Sequence, residues 1–200
     1  MSEMTNSVPG QSVAADQRPA KRERLVAAAV QLLHQRGIER TTLADIAKLA
    51  DVPAGNVYYY FKTKDEVIAA VIEAHAQQIR TTLAAIDVRH RSPKARLKAL
   101  VGEFAGRGEI VVQFGCPFGS LCSELDKRIE MSDLAAGELM RLPIEWAEKQ
   151  FQSLGRRDAG DLAVDLIAAY EGSALIANTM RDPGVLSRSA RRISSWIDAL

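Results

Sequence analysis

The sequence predicts an all-α chain in which a small three-helix module with helix-turn-helix patterning precedes a larger helical body. Three observations carry this. Apolar residues recur at i, i+3, i+4 and i+7 along successive segments; Thr, Ser and Pro stand where helices would begin, with Gly where they would stop; and no alternating apolar run of strand length survives in the body.

The 200 residues, 47% of them hydrophobic, can bury one substantial core, or a small and a larger domain sharing an interface. Residues 1–20 are rich in Ser, Gln, Pro and similar residues without an apolar stretch, so they are expected to form a flexible tail, not a secretory signal, and the chain to be cytoplasmic. The longest apolar runs, Leu25 to Val30 and Leu162 to Ala169, stop well short of the ~20 residues that a membrane span needs. No membrane partner is expected. Cys116 and Cys122 have no cluster of His or further Cys beside them, which argues for reduced thiols and against a disulfide framework or a zinc site. No metal or cofactor is expected.

The net charge is only +1, but it is unevenly spread. Between Arg18 and Lys64 lie Arg18, Lys21, Arg22, Arg24, Arg36, Arg40, Lys48, Lys62 and Lys64 against Glu23, Glu39, Asp45 and Asp51, a balance of +5 that leaves −4 for the rest. A basic module on a mildly acidic body is the pattern expected when one end meets phosphate; a solvated helix face is the plainer alternative.

From Lys21 to Arg36, Leu25, Ala28, Ala29, Leu32 and Leu33 share one helical face, and Gly37 reads as a left-handed stop with Ile38 making the apolar contact behind it. Thr42-Leu43-Ala44-Asp45 reads as a capping box that opens a second, short helix. Asp51 tolerates the left-handed turn conformation, and Pro53 is expected at the first position of a third helix. Ile46, Ala50, Val52, Val57 and Tyr60 or Phe61 would share the small core of two helices crossing at a tight turn, with Ala47 allowing close approach. The third helix then exposes Ala54, Gly55, Asn56, Tyr58 and Tyr59, small, amide and phenolic groups suited to a major groove about 12 Å wide. Packing in a core or an interface is the other reading of these tyrosines, above all of Tyr60. Thr63-Lys64-Asp65-Glu66 is a second capping box, which brings open N–H groups and Lys64 to one point where a phosphate would be held.

Residues 24 to 72, with Gly37, Thr41-Thr42, Ile46-Ala47, Ala50, Val52, Val57-Tyr58, Tyr60-Phe61, Lys64 and Glu66, resemble the DNA-binding domain of the TetR/AcrR regulators. Asp51 stands where the family commonly has Gly, and Pro53 where Ser is frequent; neither change removes a phosphate-binding group. The resemblance implies a sequence-specific DNA-binding repressor, released from a near-palindromic double-stranded operator by a small-molecule inducer. Its helix-turn-helix domain would span 21–67, and a helical effector-binding and dimerisation domain 68–200. Thr42, Lys48, Tyr58, Tyr59 and Lys64 would contact DNA, with Ala54, Gly55 and Asn56 close to bases. Arg18, Lys21 and Arg22 would add a phosphate or minor-groove contact, or form only a basic tail.

In the body, residues 65 to 89 continue as a long lever. Ser92-Pro93 opens a helix that buries Leu97, Leu100, Val101 and Phe104; Gly106, Gly108 and Gly115 loosen the segment after it. A helix from about Ser132 passes Leu139, Leu142 and Phe151 to Gly155, and Pro143 is expected to bend or interrupt it. Leu162, Leu166, Tyr170, Ala174 and Ala177 mark a helix that ends near Asp182-Pro183; Ile193, Trp196, Ile197 and Leu200 mark the last one. In the family such a terminal pair, here about 161–200, forms a four-helix homodimer interface, whereas the same faces alone would form intramolecular core. Phe104, Phe118, Trp146 and Tyr170, with Phe114, either line an effector cavity or are core.

Pro117 places Cys116 at a helix start, a position that lowers a thiol pKa. Gly115-Cys116-Pro117-Phe118-Gly119-Ser120-Leu121 also resembles a Gly-Cys-x-x-Gly-x-Leu element in a branch of the family that includes regulators answering reactive electrophiles. Cys116 is therefore either an electrophile or redox sensor or a small buried hydrophobe beside a pocket. No catalytic motif appears: His34, His75 and His90 lack matching partners, and neither His-Glu-x-x-His nor Gly-x-Ser-x-Gly occurs. An enzyme is not expected. A helical adaptor that keeps the fold but binds a protein is the alternative to a DNA-binding regulator.

Overall fold

A computed structural model of the chain describes residues 19–127 and 134–200. Among the described residues run ten helices: α1 (Lys21–Arg36), α2 (Leu43–Leu49), α3 (Ala54–Tyr60), α4 (Lys64–Arg89), α5 (Pro93–Ala105), α6 (Gly108–Phe114), α7 (Pro117–Leu125), α8 (Leu134–Ser153), α9 (Ala159–Met180) and α10 (Gly184–Ala199). Residues 1–18 of the expected tail, Arg18 among them, and Ser132 lie outside the described residues.

Helices α1 to α3 close over Leu25, Ala29, Ile38, Ile46 and Val57, all essentially buried, and the start of α4 completes this core with Val67, Ile68 and Val71. Gly37 has φ +78° but ψ 171°, an extended turn in place of the expected left-handed one. The turn still delivers Ile38 into the core. Pro53 sits one position earlier than expected. Its ring fixes φ at −54°, yet ψ is 136°, so it caps α3 and Ala54 is the first helical residue.

Helix α4 runs from the module into the body, where Ile79, Leu83 and Ile86 continue its buried face. Midway, His75 is buried with its ring edge-on to Phe118 at 5.1 Å, and desolvation depresses its pKa to about 4, so it is a neutral imidazole at pH 7. Around the second half of α4, α8 packs on α4, α5 and α9, and α10 packs on α5 and α9. Phe151, Leu97, Leu139, Leu166 and Ile197 are the fully buried anchors of this body. Pro143 does not interrupt α8, which passes through it as one helix packed against α4, α5, α7 and α9. No helix of the described residues is long and apolar enough to cross a membrane.

Candidate nucleic-acid interface

The turn between α2 and α3 is closed by local chemistry. Asp51 takes φ +51°, and the Val52 N–H reaches back to the Ala47 carbonyl at 3.0 Å, which terminates α2. Arg24 of α1 reaches the Asp51 carboxylate at 3.9 Å, and Arg22 lies over the Phe61 ring at 5.4 Å. Both ends of α3 are thus pinned to α1. Thr42 caps α2 reciprocally: the Asp45 N–H donates to its hydroxyl at 3.1 Å and the Thr42 N–H donates to the Asp45 carboxylate at 3.0 Å. The Thr42 hydroxyl also donates to that carboxylate at 2.5 Å, and these bonds hold the Asp45 pKa below its ordinary value. Since its proton is already engaged, Thr42 can act at an outside phosphate only as part of the helix end.

Only Val57 of α3 is buried. Ala54 and Gly55 are exposed, Asn56 is half-buried, Tyr58 is 57% exposed and Tyr59 79%, while Tyr60 turns partly inward and meets Tyr59 edge-on at 5.0 Å. A methyl group on Gly55 would meet nothing within 4 Å. The protein's own packing therefore does not require a glycine there. Thr63 caps α4 by accepting from the Glu66 N–H at 3.2 Å, but the Glu66 carboxylate accepts from the Lys62 N–H at 2.7 Å, one residue outside the expected box. Lys62 is occupied, its ammonium donating to the Tyr58 carbonyl at 2.6 Å at the carboxyl end of α3. Lys48 is exposed on α2 and Lys64 half-buried in the first turn of α4. Thr42, Lys48, Ala54, Gly55, Tyr58 and Tyr59 are all exposed at the surface. Together with Asn56 and Lys64, they offer exposed phenols, two ammonium groups and two helix starts.

A second candidate site lies in the body. A cavity of about 30 Å³ is walled by Phe104 of α5, Phe118 of α7, Leu139, Met140 and Pro143 of α8, and Tyr170 and Glu171 of α9. Phe104 and Tyr170 stack at 3.9 Å. Of the residues expected here, Phe104, Phe118 and Tyr170 meet at the cavity and Cys116 stands behind it. Trp146 does not line it, because its indole N–H is turned to the Asp87 carboxylate at 3.1 Å. Phe114 packs edge-on against His34 at 5.7 Å instead. Sequence reasoning missed Glu103, Arg107 and Glu171. The one signal for Glu171 is that it is a lone acid in a run of small and apolar residues.

Cys116 does cap α7, accepting from the Gly119 N–H at 3.5 Å, but the expected lowering of its pKa is overturned. Burial and the neighbouring Glu171 carboxylate, to which the thiol donates at 3.1 Å, push it up to about 12. Desolvation and a like charge outweigh one helix end. Cys122 is likewise pushed up to about 11 by burial.

Helix α7 bridges the two candidate sites. At its start, Phe118 lines the cavity and Gly119 lies against the Glu171 carboxylate. At its other end, the Glu124 carboxylate accepts from the Ile38 N–H at 2.5 Å and covers Gly37, where a methyl group would stand 2.9 Å from it. Just before α7, the Gly115 carbonyl accepts from His34 Nε2 at 2.9 Å. Arg181 and Asn178 of the α9 end donate to the Val112 carbonyl, and Arg181 also to that of Gln113, fixing the end of α6.

The family model for bacterial regulatory proteins of the tetR family matches residues 25–71, which are α1 to α3 and the start of α4. An uncharacterised HTH-type transcriptional regulator from Lactococcus lactis is 28% identical over 82% of this chain and 87% of its own length. The HTH-type transcriptional repressor DhaR of Mycobacterium sp. strain GP1 is 29% identical over 79% of this chain and 82% of its own. The crystal structure of a TetR transcriptional regulator from Legionella pneumophila superposes with a TM-score of 0.81 at 22% identity, covering 92% of this chain and 98% of that one.

Proposed function

Because this chain is a transcriptional regulator of the tetR family and not an enzyme, we propose that it is a homodimeric repressor whose α3 helices enter successive major grooves of a near-palindromic operator. The observation that carries this is the surface of α3: Tyr58 and Tyr59 are large, exposed and unneeded for packing, and Gly55 leaves open space beside them. Ala54, Gly55 and Asn56 approach base edges, while Tyr58, Tyr59, Lys48, Lys64 and the capped start of α2 at Thr42 hold the backbone. Residues 21–67 form the reading domain and 68–200 the effector and dimer domain. The dimer face is α9 with α10, where Val164, Leu175, Ile176 and Met180 are exposed beside the small residues Ala168, Ala169 and Gly172. Nuclease footprinting of the DNA upstream of its own gene tests the proposal. Protection of one near-palindrome supports it; protection of nothing there or on random duplexes moves the protein-binding adaptor to first place.

The effector enters the cavity between α5, α7, α8 and α9. At about 30 Å³ the cavity is close to the size of a single water, so binding has to part its walls. Such a ligand necessarily favours a rearranged state, which is the condition for shifting the population away from DNA. Helix α7 carries the shift through Glu124 to the turn between α1 and α2. Glu124→Ala is expected to lower stability by about 1.5–3 kcal/mol, the range for a charged hydrogen bond. It should also speed hydrogen exchange at Ile38, read by mass spectrometry. Unchanged exchange there would show that the clasp is not held in solution.

A second reading rests on the Cys116–Glu171 hydrogen bond: an activated alkene adds to Cys116, the thiol proton passing to Glu171 as the Sγ–carbon bond forms and the alkene π bond opens, and the resulting enolate takes a proton back from Glu171 or from water. Its raised pKa makes Cys116 a slow nucleophile in the closed state. Modification of Cys116 without loss of operator binding would dismiss this reading.

A further inference from the structure

We infer that the body cavity is built for an organic cation with an aromatic or alkyl body, held by the Glu171 carboxylate and the stacked Phe104 and Tyr170 rings. The inference rests on the effector reading of this cavity and names its ligand class.

Glu171 is largely removed from water, and its carboxylate accepts the Cys116 thiol through one oxygen while the other lies over Gly119, whose missing side chain leaves room for it. Among the described residues no Lys or Arg pairs with it, and burial raises its pKa. A desolvated carboxylate with a single weak S–H donor is under-compensated, and a ligand that brings positive charge restores what burial removed. The walls suit the same ligand, because aromatic faces attract a cation by their quadrupoles. The cavity already shows such a contact: the Arg107 guanidinium lies 5.6 Å from the Phe118 ring centre.

The titratable and charged groups around the site come from every packed element but α8. Helix α4 contributes His75, which is neutral at pH 7, and α5 contributes Glu103. The turn before α6 contributes Arg107, α7 the thiol of Cys116, and α9 Tyr170 beside Glu171. The lining residues from α8 are uncharged. Two carboxylates against one guanidinium leave the pocket electronegative. An anion held by Arg107 is the competing outcome.

The test titrates the full-length protein by calorimetry with benzyltrimethylammonium, its neutral carbon isostere neopentylbenzene, and phenylacetate. The permanently charged probe is expected to bind about tenfold or more tightly than the isostere, with phenylacetate weakest. Because burial raises the Glu171 pKa, the affinity of the charged probe should rise with pH through and above the ordinary carboxylate range as Glu171 loses its proton. In Glu171→Gln, which still accepts from Cys116, both the cation preference and the pH dependence should vanish while the thermal midpoint is kept. Equal binding of the isostere, preference for phenylacetate, a preference that survives Glu171→Gln, or no binding of the cation at millimolar concentration would each overturn the inference. Operator affinity is measured on the same samples. A cation that binds without changing it would leave the ligand class standing and remove the effector reading instead.

Discussion

Lys64→Ala should weaken operator binding by about a hundredfold or more without unfolding the protein. A charge-assisted contact to phosphate contributes about 1.5–3 kcal/mol, and a dimer makes each contact twice, which converts to roughly 10²- to 10⁴-fold in affinity. The slope of log affinity against log salt should also fall by about 2, one phosphate from each half-site. Stability should stay level or rise slightly, because a lysine in the first turn of α4 faces the positive end of the helix dipole. Its position is unfavourable to the protein alone and favourable once an anion arrives. Tyr58→Ala is expected to cost less, since one neutral hydroxyl and its ring contact are lost, and Tyr58→Phe separates the two. A Lys64→Ala protein with wild-type affinity and salt slope would take Lys64 out of the interface.

Leu175→Glu combined with Ile176→Glu should convert the dimer to a folded monomer. Leu175 is 67% exposed and Ile176 48%, so neither supports the monomer core, and the thermal midpoint of the monomer should barely move. A two-fold interface repeats each residue, so four side chains, each worth about 1.5–3 kcal/mol when fully buried, are replaced by four like charges. Dimerisation should weaken by at least about a thousandfold, read by sedimentation equilibrium. Operator affinity should fall with it, because each half-site then binds alone. A variant that still sediments as a dimer would place the interface elsewhere.

Local signals make the reading module legible. The apolar period of α1, the reciprocal Thr42 and Asp45 cap and the left-handed Asp51 are each set within a few residues of chain, and each recurs in the structure. Pro53 differs from its expected place by one position because the ring fixes φ while ψ is decided by the turn around it. The body is legible as helices but not as a site. Trp146 and Phe104 look alike in sequence, and only the fold sends the first to Asp87 and the second against Tyr170. The thiol of Cys116 shows the same limit. Its place at a helix start is a local feature, whereas burial by the fold, together with Glu171 55 residues away, reverses its acidity. Pro143 lies inside a continuous α8 that packs on four other helices, and such long-range packing is not conveyed by a local rule.

The most direct test of the central claim is fluorescence anisotropy of the purified protein on labelled duplex from the region upstream of its own gene, against a scrambled duplex, across a salt series. A dimeric operator-binding repressor should bind the upstream fragment tightly as one dimer, with affinity falling steeply and linearly in log salt, and should hold the scrambled duplex far more weakly. A folded dimer that binds neither duplex, or binds both equally at every salt concentration, would contradict it.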